Sequence, residues 1–298
     1  MRNFCEGFTL SFVLATLKEL DPERYEEALE FCFRDPFRTL PIAHWIREHL
    51  EKSPYAQKGW LLGEISQSRS IVGLALLSDT GILYPAIHSD ESVEQLRNIG
   101  KVNPNMIRVL LGPEDLVEHL WKRLQSIGMC ARIDQRQLLY VTNRKLFRPV
   151  EPLLDLKIAQ LRNLDILVEA SAAMAKEESG DDARQRNPVL FRDRIATRLL
   201  RQRDFIFQKD NELIFKASVS SIIPEVGQIE GVYTLDKFRR QGYGGRGTSF
   251  VINWILQRSA SSALLVNCDN FAARKMYQRL GFQTMHLSRT IFLTPSQM

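Results

Sequence analysis

Apolar and polar positions along the chain repeat with two different periods, and each change of period marks an element. Asp21–Phe33 sets an N-cap and an acidic first turn ahead of Ala28, Leu29 and Phe31, which predicts a helix. Ile42, Trp45, Ile46 and His49 share one side of a second helix over Leu40–Leu50. Short apolar runs bounded by turn residues predict strands at Gly59–Glu64, Ile71–Leu77 and Gly81–Pro85, with a buried strand at Met106–Gly112. From Pro113 an acidic turn leads into apolar residues at helical spacing, a further helix, and Gln137–Thr142 reads as a strand.

Pro149 and Pro152, within Arg144–Leu153, interrupt both periods and divide the chain into residues 1–148 and 149–298. In the second part the pattern predicts helices over Asn163–Lys176 and Arg192–Arg203, then strands over Asp204–Gln208, Glu212–Val219 and Gln228–Thr234. A glycine cluster follows, then a helix to about Arg258, a strand at Ala263–Asn267, a helix over Asn270–Leu280 and a strand at Leu287–Leu293.

With 44% hydrophobic residues in 298, the chain is long and apolar enough for two packed domains. The excess of 40 Lys+Arg over 35 Asp+Glu is modest and unclustered, so no nucleic-acid partner is expected. Cys5, Cys32, Cys130 and Cys268 are scattered, and the five histidines do not cluster with them, so no metal site is expected either. The apolar run Phe8–Leu17 is too short to span a bilayer and lacks a cleavage site. A cytoplasmic protein with no membrane partner, monomeric or homodimeric, is the expectation.

Arg239–Gly247 reads R-R-Q-G-Y-G-G-R-G, four of the chain's 16 glycines in nine residues. A strand precedes it and an apolar helix follows without a break. Such a unit presents free backbone N–H groups at the positive end of a helix dipole, where a phosphate binds. No Lys-Ser/Thr follows the glycines, so it is not a Walker loop, and it lacks the usual dinucleotide register.

Read as R-x-x-G-x-G, residues Arg239, Gly242 and Gly244 resemble the pyrophosphate motif of the GNAT acetyltransferase superfamily. Downstream, Asn270, Ala273, Tyr277, Gly281 and Phe282 match that family's N-x-x-A-x-x-x-Y-x-x-x-G-F element, again after a strand. The whole chain is similar to a subgroup in which a degenerate GNAT-like half precedes a complete one. The implied fold class is α/β (α+β): tandem GNAT-like mixed sheets flanked by helices, with residues 1–148 a non-catalytic companion to 149–298.

That resemblance implies acetyl-CoA as co-substrate and direct attack by a primary amine, on a small molecule or on a protein. Arg239 and the main chain of Arg240, Gln241, Gly242, Tyr243, Gly244 and Gly245 would hold the pyrophosphate. Val232 and Thr234 would pair with the pantetheine amides as an added strand does, and an N–H near Val232 or Tyr233 would face the thioester carbonyl. Tyr277 would protonate the leaving thiolate, or only pack on the cofactor. Asn267, Asn270 and Ala273 would fix the loop and touch cofactor amides. By alternation Glu230 shares a face with Val232 and Thr234, which makes it the candidate base, with a pKa raised by burial. Binding of the substrate's cation, or simple solvation, stays open for it.

Glu177, Glu178, Asp181 and Asp182 form an acidic stretch beside the expected acceptor cleft, read first as a solvated loop. Arg246, Arg274 and Lys275 are further candidate phosphate partners. Departures from the family pattern are Asp236 in place of a common proline, Arg240 in place of a glycine, and Tyr243 in place of a smaller aliphatic residue. Arg240 is expected at negative φ, and the ring of Tyr243 must find room. An acyl-CoA-binding regulatory or structural protein without turnover is the alternative reading.

Overall fold

The computed structural model describes residues 17–180, 184, 187–210 and 212–295. Cys5, Asp181, Asp182 and the apolar run up to residue 16 lie outside the described residues. The chain forms two compact units: Met1–Ile46 with Gln57–Asp134 and Arg289–Met298, and Arg47–Ala56 with Gln135–Ser288.

In the first unit, β1 (Leu17–Glu19), β2 (Gly59–Ile65), β3 (Ile71–Ser78), β4 (Ile82–Ala86) and β5 (Val109–Pro113) pair in that order. Pairing is antiparallel up to β4 and parallel between β4 and β5. A helical turn leads into α1 (Tyr25–Phe33), and α2 starts at Pro36 rather than at Leu40 and runs to Leu50. Between β4 and β5 lies α3 (Asp90–Val102), a helix the apolar pattern did not announce. Val93, Leu96 and Ile99 from α3 join Val117, Leu120 and Leu124 from α4 (Glu114–Gln125) over Leu83 and Leu110. Ile291 and Leu293, from the last strand β12 (Gln283–Pro295), complete this core. Leu293 N donates to Arg108 O at 2.7 Å, and the buried Arg289 guanidinium pairs with Asp134 at 2.6 Å and with Glu118.

The main segment of the second unit starts partway along β6 (Met129–Asn143) and contains Pro149 and Pro152. Its strands run in the order β6, β11 (Ser261–Asn267), β10 (Val226–Thr234), β9 (Glu212–Ile222), β8 (Asp204–Lys209), β7 (Lys157–Ile158). Only β10 and β11 are parallel. The sheet is buried on both faces, so its strands read as near-continuous apolar runs. One face is covered by α5 (Leu164–Ser179) and α6 (Pro188–Leu200), which pack Leu167, Val168, Ile195 and Leu199 on Ile206, Leu213 and Tyr233. On the other, α7 (Tyr243–Leu256) and α8 (Phe271–Arg279) pack Val251, Ile252, Ile255 and Tyr277 on Phe215, Ile229 and Leu264. Gly247 lets α7 approach that closely, since a Cβ there would lie 2.5 Å from the Phe215 ring.

Candidate active site

The parallel pairing of β10 and β11 ends early. Val226 to Ile229 pair with Ser261 to Leu264, and beyond that point β10 keeps only β9 while β11 keeps only β6. The two strands therefore part between Glu230 and Leu265. At the same place β10 carries one residue more than β9: Glu230 opposes Ser218 and Tyr233 opposes Lys216, with Gly231 and Val232 both facing Ala217. Gly231 adopts φ +59, as such bulges favour. The extra residue resets the alternation. Glu230 thus shares its face with Tyr233, not with Val232 and Thr234 as regular alternation implied.

From Thr234 the chain turns through Leu235 and a helical turn at Asp236–Phe238 into the start of α7. Arg240 has φ +60, so the expected negative φ is corrected: the side chain sits in the left-handed region a glycine would occupy at no cost. Gly242, also left-handed at φ +84, is the N-cap of α7 and supplies no side-chain cap. The first turn of α7 contains no acidic residue. Its leading N–H groups and the dipole's positive end therefore meet the exposed Gly242, not a carboxylate. A Cβ on Gly244 would lie 3.2 Å from Met276 Sδ and 3.4 Å from Thr234 Oγ1, so a side chain there would crowd both. The Tyr243 ring finds room stacked on Phe207 at 5.8 Å with Phe238 edge-on. Gln241 Nε2 ties the turn to Lys237 O at 3.2 Å.

The cations around this turn are partly committed. Arg239 donates to Thr234 O at 3.0 Å and to Glu177 Oε2 at 2.6 Å, and lies over the Tyr233 ring. Arg246 bonds Glu151 O at 3.2 Å, and Arg274 bonds Cys268 O at 2.6 Å. On the far side of the splay Asn270 caps α8, accepting from Ala273 N at 3.1 Å. Asn267 Oδ1, at the end of β11, is buried without a hydrogen-bond partner. Tyr277 is 6% exposed against Phe282, and burial and the nearby Glu178 hold its hydroxyl well above the ordinary tyrosine pKa.

A row of polar groups, missed in the sequence, crosses the sheet beneath α5 and α6. Asp204, Ser218 and Glu230 lie side by side on β8, β9 and β10, and Ile206, Lys216 and Tyr233 form the next row. Asp204 is 1% exposed; its Oδ1 accepts from Ser218 Oγ at 2.6 Å and Arg198 Nε at 2.8 Å, while Oδ2 has no partner. Arg198 reaches toward Glu230 at 3.9 Å. Glu230 itself is exposed, so the burial expected of it is absent. Lys216 is buried instead. Its Nζ donates to Gly231 O at 3.1 Å and lies 3.7 Å from Met174 Sδ, and burial, reinforced by Arg198, lowers its pKa to about 8.

Glu177 and Glu178 belong to the last turn of α5 rather than to a loop. Burial works against the Glu177 carboxylate, but hydrogen bonds from Tyr233 (2.7 Å) and Arg239 prevail and lower its pKa. The same contact, added to burial, pushes the Tyr233 hydroxyl up to about 12. Burial raises Glu178, with Lys216 opposing and Glu177 adding to the shift. The signal for this cluster in the sequence was a lysine and a serine, Lys216 and Ser218, set among the apolar residues of β9.

Comparison with known proteins supports the fold. Residues 211–291 match a family described as FR47-like protein, and no curated protein matches the chain. A GNAT-family acetyltransferase from Colwellia psychrerythraea superposes with TM-score 0.53 at 14% identity, over 93% of this chain and 99% of its own. A tandem GNAT protein of the clavulanic acid biosynthesis pathway gives 0.56 at 12%, over 94% and 99%. A Drosophila protein solved by structural genomics gives 0.70 at 12%, over 95% and 99%. The chain has the GNAT fold in its tandem form, a fold found in acetyltransferases. Among the described residues no cluster of metal-ligating side chains is present, and no helix is long and apolar enough to cross a membrane.

Proposed function

We propose that the second unit is an N-acetyltransferase that takes acetyl-CoA and passes its acetyl group to a primary amine, while the first unit is a non-catalytic companion. The observation that carries this reading is the uncapped, acid-free start of α7 opening beside the splay of β10 and β11. Bound acetyl-CoA would supply a thioester, an acyl group activated for attack by an amine.

The N–H groups from Arg240 to Gly245 hold the pyrophosphate, with Gly242 and Gly244 allowing contact without side chains. Arg239 anchors the loop through Thr234 O and Glu177 and adds positive field. Backbone groups of Val232 and Thr234, which face no β11 partner, pair with the amide-bearing arm of the donor. The bulge at Gly231 turns the Val232 N–H toward the acyl carbonyl. Asn267 Oδ1 offers an acceptor to a donor amide; Asn270 and Ala273 set the start of α8 that carries Tyr277. That phenol, protonated at any working pH, gives its own proton to the departing thiolate and regains one from solvent. Glu230, at the open side of the cleft, receives the ammonium of the acceptor and takes its proton through water.

The test is acetyl-CoA binding by calorimetry together with thiol release across a panel of primary amines. Binding with transfer to at least one amine is the expected result. Binding with no transfer to any amine would leave an acyl-CoA-binding protein, and no binding would remove the donor assignment altogether. Tyr277→Phe should lower turnover by about 10- to 100-fold while leaving donor affinity unchanged.

A further inference from the structure

We propose that Lys216 is a positioning residue for acyl transfer: its ammonium holds and polarises the Gly231–Val232 peptide, so that the Val232 N–H faces the splay as a strengthened donor. The proposal rests on the acetyl-transfer reading of the site and adds to it a residue that acts on the backbone without touching the donor.

The geometry starts from one hydrogen bond. Lys216 Nζ donates to Gly231 O at 3.1 Å, in the bulge. No cis peptide bond occurs among the described residues, so the Val232 N–H points opposite to that carbonyl, away from Lys216. On that side β11 has already parted from β10. A cation on the carbonyl oxygen also draws density from the amide, which makes its N–H a better donor to a developing negative charge. An apolar side chain of similar length would give neither the anchor nor the polarisation.

The surroundings keep the ammonium in place. Among the described residues Lys216 is the only buried lysine, 2% exposed. Glu178 from α5, Asp204 from β8 and Glu230 from β10 favour its charged form, whereas burial and Arg198 from α6 oppose it. Tyr233, its neighbour on β10, is itself tied to Glu177, which also binds Arg239. The balance leaves a lysine that loses its proton close to neutrality, so its effect on the peptide is titratable.

The sequence offers a direct probe, because glycine is followed by valine only at Gly231–Val232. Full-length protein labelled with carbonyl-¹³C glycine and ¹⁵N valine gives a single carbonyl–nitrogen correlation for that peptide. In the wild type this peak should move with pH in one step centred near 8. In Lys216→Met it should not move, acetyl-CoA should bind within about threefold of wild type, and turnover should fall about tenfold, with the donor KM unchanged. A wild-type peak that stays fixed between pH 6.5 and 9.5 overturns the proposal even if the variant fails to fold. Unchanged turnover in Lys216→Met overturns it as well. A moving peak in a protein that binds no acetyl-CoA overturns the acetyl-transfer reading, and the positioning role with it, while leaving the Lys216 contact intact. The two failures are thereby told apart.

Discussion

Each unit contains a strand, a helix, a parallel strand and a second helix in the same order: β4, α3, β5 and α4 in the first, β10, α7, β11 and α8 in the second. The loop that opens the first helix separates them. In the first unit Ser89 Oγ accepts from Ser92 N at 3.2 Å, and Asp90 and Glu91 fill the first turn. The helix end is thus satisfied by its own chain and is negative. In the second unit Gly242 gives α7 no side-chain cap and no acid follows. A second difference lies in the strand: β3 and β4 pair in continuous register, whereas β9 and β10 are offset by the bulge. One topology can therefore close or open an anion site through a few residues, and the fold alone does not say which unit binds.

The largest effect expected from breaking this contrast is Gly242→Glu. A carboxylate at the open helix end, on a residue held at positive φ, should weaken acetyl-CoA binding at least about a thousandfold, roughly 4 kcal/mol. Wild-type affinity in that variant, measured by calorimetry, would remove the cradle and with it the difference between the units.

Next comes the buried lysine of the second unit. Its folded pKa, about 8, lies below the ordinary value of 10.5. The unfolded chain therefore binds the extra proton between these values, and stability rises with pH across that window. The gain is about 3 kcal/mol at 1.36 kcal/mol per pKa unit. Denaturant titrations of wild type and Lys216→Met at pH 7 and pH 10 should show the difference between the two shrinking by about that amount; parallel curves would show Lys216 to be solvated. Smaller again is Gly247→Ala, expected to cost about 1–3 kcal/mol through its clash with Phe215; no loss on chemical denaturation would mean that α7 can lift from the sheet freely. Smallest is Ser89→Ala, which should destabilise α3 by about 1 kcal/mol, read by hydrogen exchange, without changing acetyl-CoA affinity.

How far these features could be read beforehand depended on whether they were periodic. The strands and helices of the second unit followed from apolar repeats, because two-sided burial leaves long apolar runs. Helix α3 did not stand out, since Val93, Leu96 and Ile99 are its few apolar anchors among polar residues; its Ser89 cap was the available signal. The glycine turn and the α8 motif were legible as residue types at fixed spacing. Alternation puts Glu230 on the wrong face because it assumes a regular strand, and only the pairing with β9 reveals the inserted residue. Lys216 escapes the pattern for a related reason. A lysine in an apolar strand ordinarily points to water, and its burial here depends on α5 and α6 lying across the sheet, which no local pattern encodes.

The first unit's core includes Ile291 and Leu293, and its Asp134 and Glu118 are paired by Arg289. On a ribosome these residues emerge roughly 150 positions after the rest of that unit, a wait of roughly 10–30 s at ~5–20 residues per second. Until then the nascent first unit carries an apolar seam and lacks the Arg289 guanidinium that Asp134 and Glu118 share. Most of it is synthesised before the main segment of the second unit, yet it is among the last parts to be finished, and a truncation before β12 would release it from the ribosome still open.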